Sequence, residues 1–315
     1  MREILLIALS ESKRFAVRVL TRDTKSSRAQ GIARLLNVTL IEGRQDNQED
    51  LHRAIHGFYG ALVNTDGFTL GEKNELFYGC QSYEIVRLEG VQHYVYAGTD
   101  FALKNANWDE KYHWGHNGAK GRVADYILAQ GQQGMKSSVL TTCLYMNMLW
   151  DGMFALTEQL DGSFVWANPA KSSKIPLIAL EDIGPYFLWL FDAIPRNRVS
   201  FVDIAAAFTE ITREKGVHRY IPLEDYLLSA EPLQNAPENW AAGPNAVRDE
   251  STMTWRENLS AWWRYWGEGL SEPRDMNFLD TIHPGRIKSK PRNVPKGIED
   301  LKKQAAWLRQ ASTSV

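Results

Sequence analysis

The chain has 315 residues, of which 44% are hydrophobic and 23% charged, and its 36 Lys and Arg nearly balance its 38 Asp and Glu. This composition is typical of a globular protein and excludes a disordered or fibrous chain. The formal net charge of -2 argues against a general nucleic-acid binder or a polybasic membrane binder, since both need excess positive charge. We therefore expect a small-molecule substrate, with no direct contact to nucleic acid or to a membrane.

Cysteine content and the first residues bear on the compartment. Cys80 and Cys143 are the two cysteines, too few for the disulfide framework of a small secreted protein. The apolar run near the start is only about six residues long and is flanked by charges, too short for a signal peptide or a membrane span. We therefore predict a cytoplasmic protein. Neither cysteine has neighbours with metal-ligand spacing, so no metal site is expected.

Strand-like and helix-like patterns alternate through the first half of the chain. Segments with the two-residue period of strands lie at 15–21, 38–41, 60–65, 91–97 and 137–142. Helical patterns separate or follow them at 29–36, 47–55, 72–89 and 121–130. Strands that alternate with helices form right-handed βαβ units. The sequence therefore predicts an α/β protein with a doubly wound parallel sheet covered by helices on both faces.

The regular alternation ends near residue 147. The later segments are a connector rich in Pro and Ser at 168–176, helices at 183–191 and 201–212, and a basic tail from Pro284 with a last helix near 298–308. We therefore predict a sheet domain over residues 1–150. A smaller α+β domain for a substrate or partner is predicted over 151–315, with some of its elements returning to the sheet.

Five aromatic residues recur with helical spacing in this second half: Trp255, Trp262, Trp263, Tyr265 and Trp266. Such a stripe either fills a core or interface, or lines a pocket for a flat apolar substrate. Packing is the favoured interpretation, because aromatic stripes usually serve it.

The position of a ligand follows from the predicted topology. In open α/β sheets, ligands bind at the carboxyl ends of the strands where the strand order reverses. A dinucleotide-binding sheet carries G-x-G-x-x-G after its first strand, and a residue that reads the ribose follows about 20 positions later. The strand ending at Thr21 brings Arg22 to that ribose position, and no glycine occurs before Gly31. The glycine loop is therefore missing from this sequence.

Six motifs occur in order along the chain: Arg18–Arg22 (RVLTR), Glu42–Asp46 (EGRQD), His93–Gly98 (HYVYAG), His116–Lys120 (HNGAK), Asp182–Gly184 (DIG) and His283–Gly285 (HPG). Together they resemble the NmrA-like family, atypical relatives of the short-chain dehydrogenases, over nearly the whole chain. The resemblance implies a Rossmann-like fold with a smaller C-terminal domain and a site for NADP. Some family members look like reductases, including enzymes of fungal secondary metabolism, and others are redox-sensing regulators.

Two segments depart from the family pattern. Aligned on the motifs, Met1 falls inside the family's first helix, just after its glycine loop, and the segment 193–200 is shorter than the family's, which inserts a strand there. Either the start and splice are incomplete, or the chain is a variant that has lost its pyrophosphate site. The first interpretation is favoured, because a parallel sheet without its central strand exposes two unpaired edges.

The turn after the first predicted strand is the candidate phosphate site. A guanidinium group fits phosphate oxygens, so Arg22, with Lys25 and Arg28 nearby, favours NADP over NAD. The resemblance implies that the same turn holds the adenosine phosphate, which adds Asp23, Thr24 and Ser26 to the candidates. The alternative is a solvated basic turn.

Two further strand ends supply candidates. Arg44 and Gln45 correspond to a pair near the adenine in the family, where an acid commonly precedes the Gln; Arg44 replaces that acid. Thr65, Asp66 and Gly67 follow the third strand, where backbone and short polar side chains can meet the ribose next to the nicotinamide. The alternative for Thr65 and Asp66 is a helix N-cap or turn.

Lys120 is the strongest single candidate. In short-chain dehydrogenases a Tyr-x-x-x-Lys pair on one helix face lets the Lys hold the nicotinamide ribose and lower the pKa of the Tyr. Here His116 stands at the Tyr position, as in the NmrA-like pattern, and both residues are candidate catalytic residues. His116 can act as an acid near neutral pH, and a structural role at a helix start is the alternative. Tyr112 is a further candidate proton donor, as a substitute for the missing Tyr.

The segment after the fifth strand aligns with family residues that touch the nicotinamide. It comprises Leu144, Tyr145, Met146 and Asn147. A strand end that packs into the second domain is the alternative for Leu144 and Met146. A family lysine on the third helix aligns with Phe77, so that contact is expected to be absent.

The leading hypothesis is an NADP-dependent oxidoreductase that transfers hydride to or from a carbonyl, imine or activated alkene of a small metabolite. The competing hypothesis is a non-catalytic NADP-sensing regulator that binds a protein partner in the cytoplasm or nucleus, motivated by the missing Tyr. A third hypothesis is a chain unable to bind nucleotide, which follows if the glycine loop is truly missing.

Overall fold

The computed structural model describes residues 6, 9–142, 144–145, 148–149, 156–171, 173–190, 199–229, 233–271 and 276–283. The predicted last helix, the basic tail and most of the shortened segment at 193–200 lie outside the described residues. None of the helices in the described ranges combines the length and the hydropathy of a membrane-spanning segment.

The first half of the chain forms parallel β-strands joined by helices, which confirms the predicted fold class. The strands are β1 (Val17–Thr21), β2 (Val38–Glu42), β3 (Gly60–Val63), β4 (His93–Gly98) and β5 (Lys136–Thr141). The helices are α1 (Ser27–Ala33), α2 (Gln48–Ile55), α3 (Gly67–Leu88), α4 (Ala102–Asn105) and α5 (Gly115–Ala129). All five predicted strands are present, each within two residues of its predicted ends.

Strand β4 shows how the sheet is covered on both faces. Tyr94 and Tyr96 pack with α3 and α5, and Val95, which points to the opposite face, packs with a helix from the second half of the chain, α6 (Leu180–Leu190). Neighbouring residues of a strand point to opposite faces, and a central strand of a parallel sheet is therefore apolar throughout. All six residues of β4 are buried, as a doubly wound sheet requires.

The parallel strands form two separate ladders. Strand β1 pairs with β2, and β3 pairs with β4, which pairs with β5. Within the described residues no strand pairs with both β1 and β3, although Val17 of β1 and Leu62 of β3 pack into the same hydrophobic cluster. Residues 9–11, just before β1, are helical, and Leu9 is buried in that cluster.

The second half adds short strands and further helices. The strands are β6 (Leu144–Tyr145), β7 (Thr157–Glu158), β8 (Phe164–Asn168), β9 (Lys174–Ile175), β10 (Leu177–Ile178), β11 (Val199–Ser200) and β12 (Gly216–Tyr220). Besides α6, the helices are α7 (Phe201–Thr212), α8 (Leu223–Leu228), α9 (Trp255–Gly267) and α10 (Met276–Ile282). Strand β8 lies between β12, which is parallel to it, and β7, which is antiparallel. This mixture of parallel and antiparallel pairs with helices is the predicted α+β arrangement.

An aromatic cluster fills the core of the second half. It consists of Trp114, which precedes α5, and the five aromatic residues of α9: Trp255, Trp262, Trp263, Tyr265 and Trp266. Helix α9 begins with a capping box formed by Thr254 and Glu257, which satisfies the first backbone N–H groups. All six rings are at most 8% exposed. The interpretation of the stripe as core is therefore confirmed, and the pocket interpretation is not supported.

Two helices begin five or more residues before their predicted starts. Helix α3 begins at Gly67 rather than residue 72, and it contains a non-helical backbone at Gly71 (φ 73°) that interrupts the local pattern. Helix α5 begins at Gly115 rather than residue 121. The Gly115 N–H donates to the Asn258 side-chain oxygen at 3.1 Å, a partner 143 residues away, which no local pattern reveals.

Candidate functional site

Lys120 lies at the carboxyl end of β3, where the topology places a ligand. Its Nζ donates to the Thr65 carbonyl oxygen at 2.7 Å and to Thr65 Oγ1 at 2.9 Å, and it lies 2.8 Å from Glu75 Oε1. The side chain of Lys120 is 12% exposed and that of Glu75 is fully buried. The structure therefore brings the predicted residues Thr65 and Lys120 together through two hydrogen bonds, and Lys120 also forms a buried ion pair with Glu75, which was not predicted.

Close contact between α3 and α5 explains the glycine at the start of α3. A Cβ atom at Gly67 would lie 2.4 Å from Glu75 Oε2 and 2.6 Å from the His116 carbonyl oxygen. The predicted role of Gly67 in cofactor binding stays a prediction, and close packing is sufficient to require glycine there. Asp66 caps α3 by accepting a hydrogen bond from the Thr69 N–H at 3.3 Å, the alternative role proposed for it.

A second buried carboxylate lies one turn earlier on α3. Both carboxylate oxygens of Glu72 are 2.9 Å from His113 Nε2, and Arg122 Nη2 is 3.6 Å from Oε1. The hydrogen bond to Glu72 raises the pKa of His113. A Cβ atom at Gly118 would lie 2.8 Å from Glu72 Oε1, so this glycine of the HNGAK motif makes room for the carboxylate.

His116 is held by the second half of the chain. Its Nδ1 lies 2.9 Å from Asn258 Oδ1, and its ring stacks on Phe68 with 4.7 Å between centroids. Burial lowers the pKa of His116 to about 4, and the charge on Lys120 acts in the same direction. The imidazole is therefore neutral at pH 7, and it cannot act as an acid in the imidazolium form.

Tyr112, the substitute donor, is also engaged. It is 5% exposed, and its hydroxyl donates to the carboxylate of Glu268. Burial and the bond to Glu268 raise the pKa of Tyr112. Both features oppose proton donation by this hydroxyl to a ligand.

Glu238 adds a carboxyl group with an unusual pKa to the start of α5. Its side chain is 4% exposed, and Oε2 lies 3.9 Å from His116 Nδ1. Burial and the charge on Glu72 raise the pKa of Glu238 to about 7, offset in part by hydrogen bonding from the backbone N–H of His116. A Cβ atom at Gly115 would lie 2.4 Å from Glu238 Oε1, so glycine permits this approach.

The predicted phosphate turn lies at the carboxyl end of β1. Ser26 caps α1 by accepting from the Ala29 N–H, Asp23 accepts from the Lys25 N–H at 2.7 Å, and Thr24 Oγ1 donates to Glu42 at 3.1 Å. Arg22 and Lys25 are exposed. The turn is therefore ordered by Asp23, Thr24 and Ser26, and it presents two cations to solvent.

The pair predicted near the adenine lies at the end of β2. Arg44 is engaged by Asp46 through a bidentate contact, with Nε–Oδ1 at 2.8 Å and Nη2–Oδ2 at 2.5 Å. Gln45 is half-buried beside it. The bond to Arg44 lowers the pKa of Asp46. The adenine contacts of Arg44 and Gln45 stay predictions.

The segment after β5 is described in part. Leu144 and Tyr145 form β6, which pairs in parallel with Leu177 and Ile178 of β10. Met146 and Asn147 lie outside the described residues, so their predicted contacts stay predictions. Phe77 is 59% exposed and lines an apolar groove of about 500 Å³ beside α2, together with Gln48, Lys73, Leu76, Cys80, Gln81 and Glu84. This groove includes neither His116 nor Lys120.

Sequence reasoning missed four residues of the site. Glu72 and Glu75 lie on the buried stripe of α3 that continues through Gly79, and acidic residues in an otherwise buried helical stripe are a signal that could have identified them. Glu238 and Asn258 have no comparable signal, because only the tertiary fold brings them to α5. Residues of two quoted motifs, DIG and HPG, lie in contact in the structure, since His283 Nε2 lies 3.0 Å from Asp182 Oδ1.

Comparisons with known proteins place the chain. The model of the NmrA-like family matches residues 4–221. The NmrA-like family domain-containing oxidoreductase malD of Malbranchea aurantiaca is 23% identical over 243 residues, which cover 69% of this chain and 70% of that protein.

Solved structures agree in fold. NmrA, a negative transcriptional regulator in complex with NAD, is 21% identical, with a TM-score of 0.69 over 96% of this chain and 95% of that chain. The NADPH complex of the quinone oxidoreductase QOR2 from Escherichia coli is 13% identical, with a TM-score of 0.63 over 88% of this chain and 89% of that chain. The resemblance drawn from the six motifs is confirmed, and the chain belongs to the NmrA-like family.

Proposed function

We propose that this chain is an NADP-dependent oxidoreductase that transfers hydride to or from a carbonyl, imine or activated alkene of a small metabolite. The observation that carries the proposal is the placement of Lys120 beside Thr65 and Glu75 at the carboxyl end of β3. Membership of a family that includes an oxidoreductase supports it. A cytoplasmic location and a role in secondary metabolism are part of the same proposal.

The described residues fit the two ends of a dinucleotide. Arg22 and Lys25 offer exposed cations after β1, suited to a 2′-phosphate. Lys120 offers an ammonium group, suited to the hydroxyls of the nicotinamide ribose, beside a Thr65 hydroxyl that is already bonded to Glu75 and Lys120. Bound NADP supplies the hydride chemistry, and the chain binds and orients it. No described residue is assigned to the pyrophosphate.

Lys120 must exchange a contact to bind a ribose. An ammonium group has three N–H donors, and Lys120 has three acceptors within 2.9 Å: two oxygens of Thr65 and one of Glu75. A ribose hydroxyl therefore replaces one of these contacts or shares it. Since the Glu75 carboxylate is buried and needs its counter-charge, the exchange falls on Thr65.

Binding is tested by titrating the purified chain with NADPH and NADH while following quenching of tryptophan fluorescence. We expect saturable binding of NADPH, and Arg22→Ala should weaken NADPH roughly tenfold or more, because it removes a charge-assisted contact to phosphate. NADH affinity should change little. Arg34→Ala, an exposed arginine at the other end of α1, is the matched control.

Two outcomes contradict this assignment. Equal losses of NADPH and NADH affinity in Arg22→Ala would exclude a contact to the 2′-phosphate. If the wild-type chain shows no saturable binding, both the oxidoreductase hypothesis and the regulator hypothesis are contradicted. The hypothesis that the chain binds no nucleotide would then remain.

A regulator that senses NADP and binds a protein partner is the second candidate. It is favoured by the state of the two candidate proton donors, since His116 is neutral and Tyr112 is bonded to Glu268. NADPH consumption with a panel of quinones, aldehydes and imines separates the two functions. Saturable NADPH binding without turnover of any of them favours the regulator, and turnover excludes a purely non-catalytic role.

A further inference from the structure

His116 and Lys120 are four residues apart on α5, so they lie on the same side of the helix. The two side chains have hydrogen-bond partners in different parts of the molecule, because the partner of His116 lies in the second half of the chain. Asn258 is 1% exposed, and its Oδ1 atom lies 2.9 Å from His116 Nδ1. The partner of the histidine is therefore fixed in a packed core rather than on a surface.

The identity of the Asn258 atom is set by a second contact. The backbone N–H of Gly115 donates to the same Asn258 atom at 3.1 Å, and an N–H group requires an acceptor, which in an asparagine side chain is the oxygen. An oxygen of this kind only accepts. His116 Nδ1 must therefore carry a hydrogen and donate it to Asn258.

The second ring nitrogen follows from the first. In a neutral imidazole one nitrogen donates and the other accepts, and His116 is neutral at pH 7 because burial lowers its pKa to about 4. Nε2 therefore carries a lone pair. No described residue forms a hydrogen bond to Nε2, and the His116 side chain keeps 11% of its surface exposed.

We propose that Asn258 is a positioning residue that holds His116 in the Nδ1–H tautomer, so that Nε2 accepts a hydrogen bond from a hydroxyl of the bound nicotinamide nucleotide. This inference rests on the proposed function for its ligand, and it changes the role of His116 from proton donor to acceptor. A ribose hydroxyl can donate to Nε2, whereas phosphate and carboxylate oxygens cannot. Recognition at this position therefore selects a sugar hydroxyl beside Lys120.

The tautomer can be measured on the chain alone. Nitrogen-15 NMR at pH 7 distinguishes a protonated from an unprotonated ring nitrogen, and comparison with the spectrum of His116→Gln assigns the signals among the seven histidines. We expect a protonated Nδ1 and an unprotonated Nε2, and saturating NADPH should shift the Nε2 signal without changing the tautomer. A protonated Nε2 in the chain alone would overturn the assignment.

Two substitutions of Asn258 test its positioning role. Asn258→Leu removes the acceptor, so an Nε2–H tautomer should appear and NADPH affinity should fall roughly three- to tenfold, as for the loss of one hydrogen bond. Asn258→Asp keeps an acceptor oxygen for both donors, so Nδ1 should stay protonated. Its negative charge also raises the pKa of His116, so affinity should be restored only at a pH where Nε2 is unprotonated. Asn74→Leu, which removes a half-buried asparagine on α3 bonded to the Leu70 carbonyl, is the control.

The outcomes separate this inference from the proposed function. An Nδ1–H tautomer that persists in Asn258→Leu would overturn the role of Asn258, whatever the chain binds. An Nε2 signal unchanged by saturating NADPH would overturn the ligand contact. If wild-type His116 has the expected tautomer but NADPH does not bind, the proposed function and the ligand contact both fail and the positioning by Asn258 stands.

Discussion

The two regions that meet at α5 are packed very differently. In the parallel sheet, four of the five residues of β1 and all four residues of β3 are only half-buried. In the aromatic cluster, the six rings are at most 8% exposed. Trp114, which immediately precedes α5, belongs to this cluster and contacts Tyr265 edge-on at 5.0 Å.

The difference shows which region positions the candidate site. The start of α5 is anchored by Trp114 in the aromatic cluster and by Asn258 at its first N–H. Neither anchor involves β1 or β3. The position of His116 therefore depends on the second half of the chain, whereas Lys120 is held by Thr65 and Glu75 of the first half. The candidate phosphate turn depends on β1.

Core substitutions in the two regions should differ most in their effect. Trp263 is 1% exposed, and Trp263→Ala should lower the free energy of unfolding by about 3–5 kcal/mol, since it leaves a large cavity. Val19→Ala in half-buried β1 should cost about 1 kcal/mol or less. Urea denaturation measures both. Trp240→Ala, at a ring that is 47% exposed, should stay within about 0.5 kcal/mol.

Equal losses from Val19→Ala and Trp263→Ala would break the comparison. Such a result would mean that β1 is as tightly packed in solution as the aromatic cluster. Val95→Ala on β4, which is fully buried, provides a valine of the same sheet for which a larger loss than at Val19 is expected.

The same contrast explains how much the sequence could predict. The segments with a two-residue period predicted β1 to β5, because the pattern of a strand is local. The motifs predicted the family of the chain and, within it, Lys120 as a candidate site residue. The start of α5 and the partners of His116 could not be predicted, because Asn258 and Glu238 reach α5 only through the tertiary fold. The buried Glu75 was readable in principle, yet a charge in a helix is more often solvated.

Breaking the buried ion pair between Lys120 and Glu75 should lower stability nearly as much as a substitution in the aromatic core. Lys120→Met leaves the carboxylate of Glu75 buried without a counter-charge, which should cost about 3–5 kcal/mol of unfolding free energy. Adding Glu75→Gln should recover much of that loss, because a neutral amide needs no counter-charge. A double-mutant cycle measured by urea denaturation gives the coupling.

An exposed lysine supplies the comparison for this pair. Lys104 pairs with Asp125 at 2.7 Å, with half of its side chain exposed, so Lys104→Met should change stability by about 1 kcal/mol or less. If Lys120→Met is equally mild and Glu75→Gln has no compensating effect, the two groups do not form a buried pair in solution.

The smallest expected effect concerns Glu238, which joins the two regions at the start of α5. Burial and Glu72 raise its pKa from the ordinary 4.5 to about 7, so the folded state holds a proton that the unfolded chain releases. Its contribution is present below pH 4.5, and it is lost as the pH rises through about 7. The loss amounts to about 3 kcal/mol at most.

His116 changes stability in the opposite sense. Its pKa falls from the ordinary 6.5 to about 4, so its contribution is present above pH 6.5 and is lost as the pH falls through about 4. Glu238→Gln should therefore reduce the decline in stability from pH 5 to 8, leaving the part that His113 contributes through its raised pKa. The acid-side loss of His116 should remain. Urea midpoints across this range measure it, with the exposed Glu49→Gln on α2 as the unaffected control. A decline of unchanged size in Glu238→Gln would mean that another group, with His113 the nearest whose pKa is raised, carries the pH dependence.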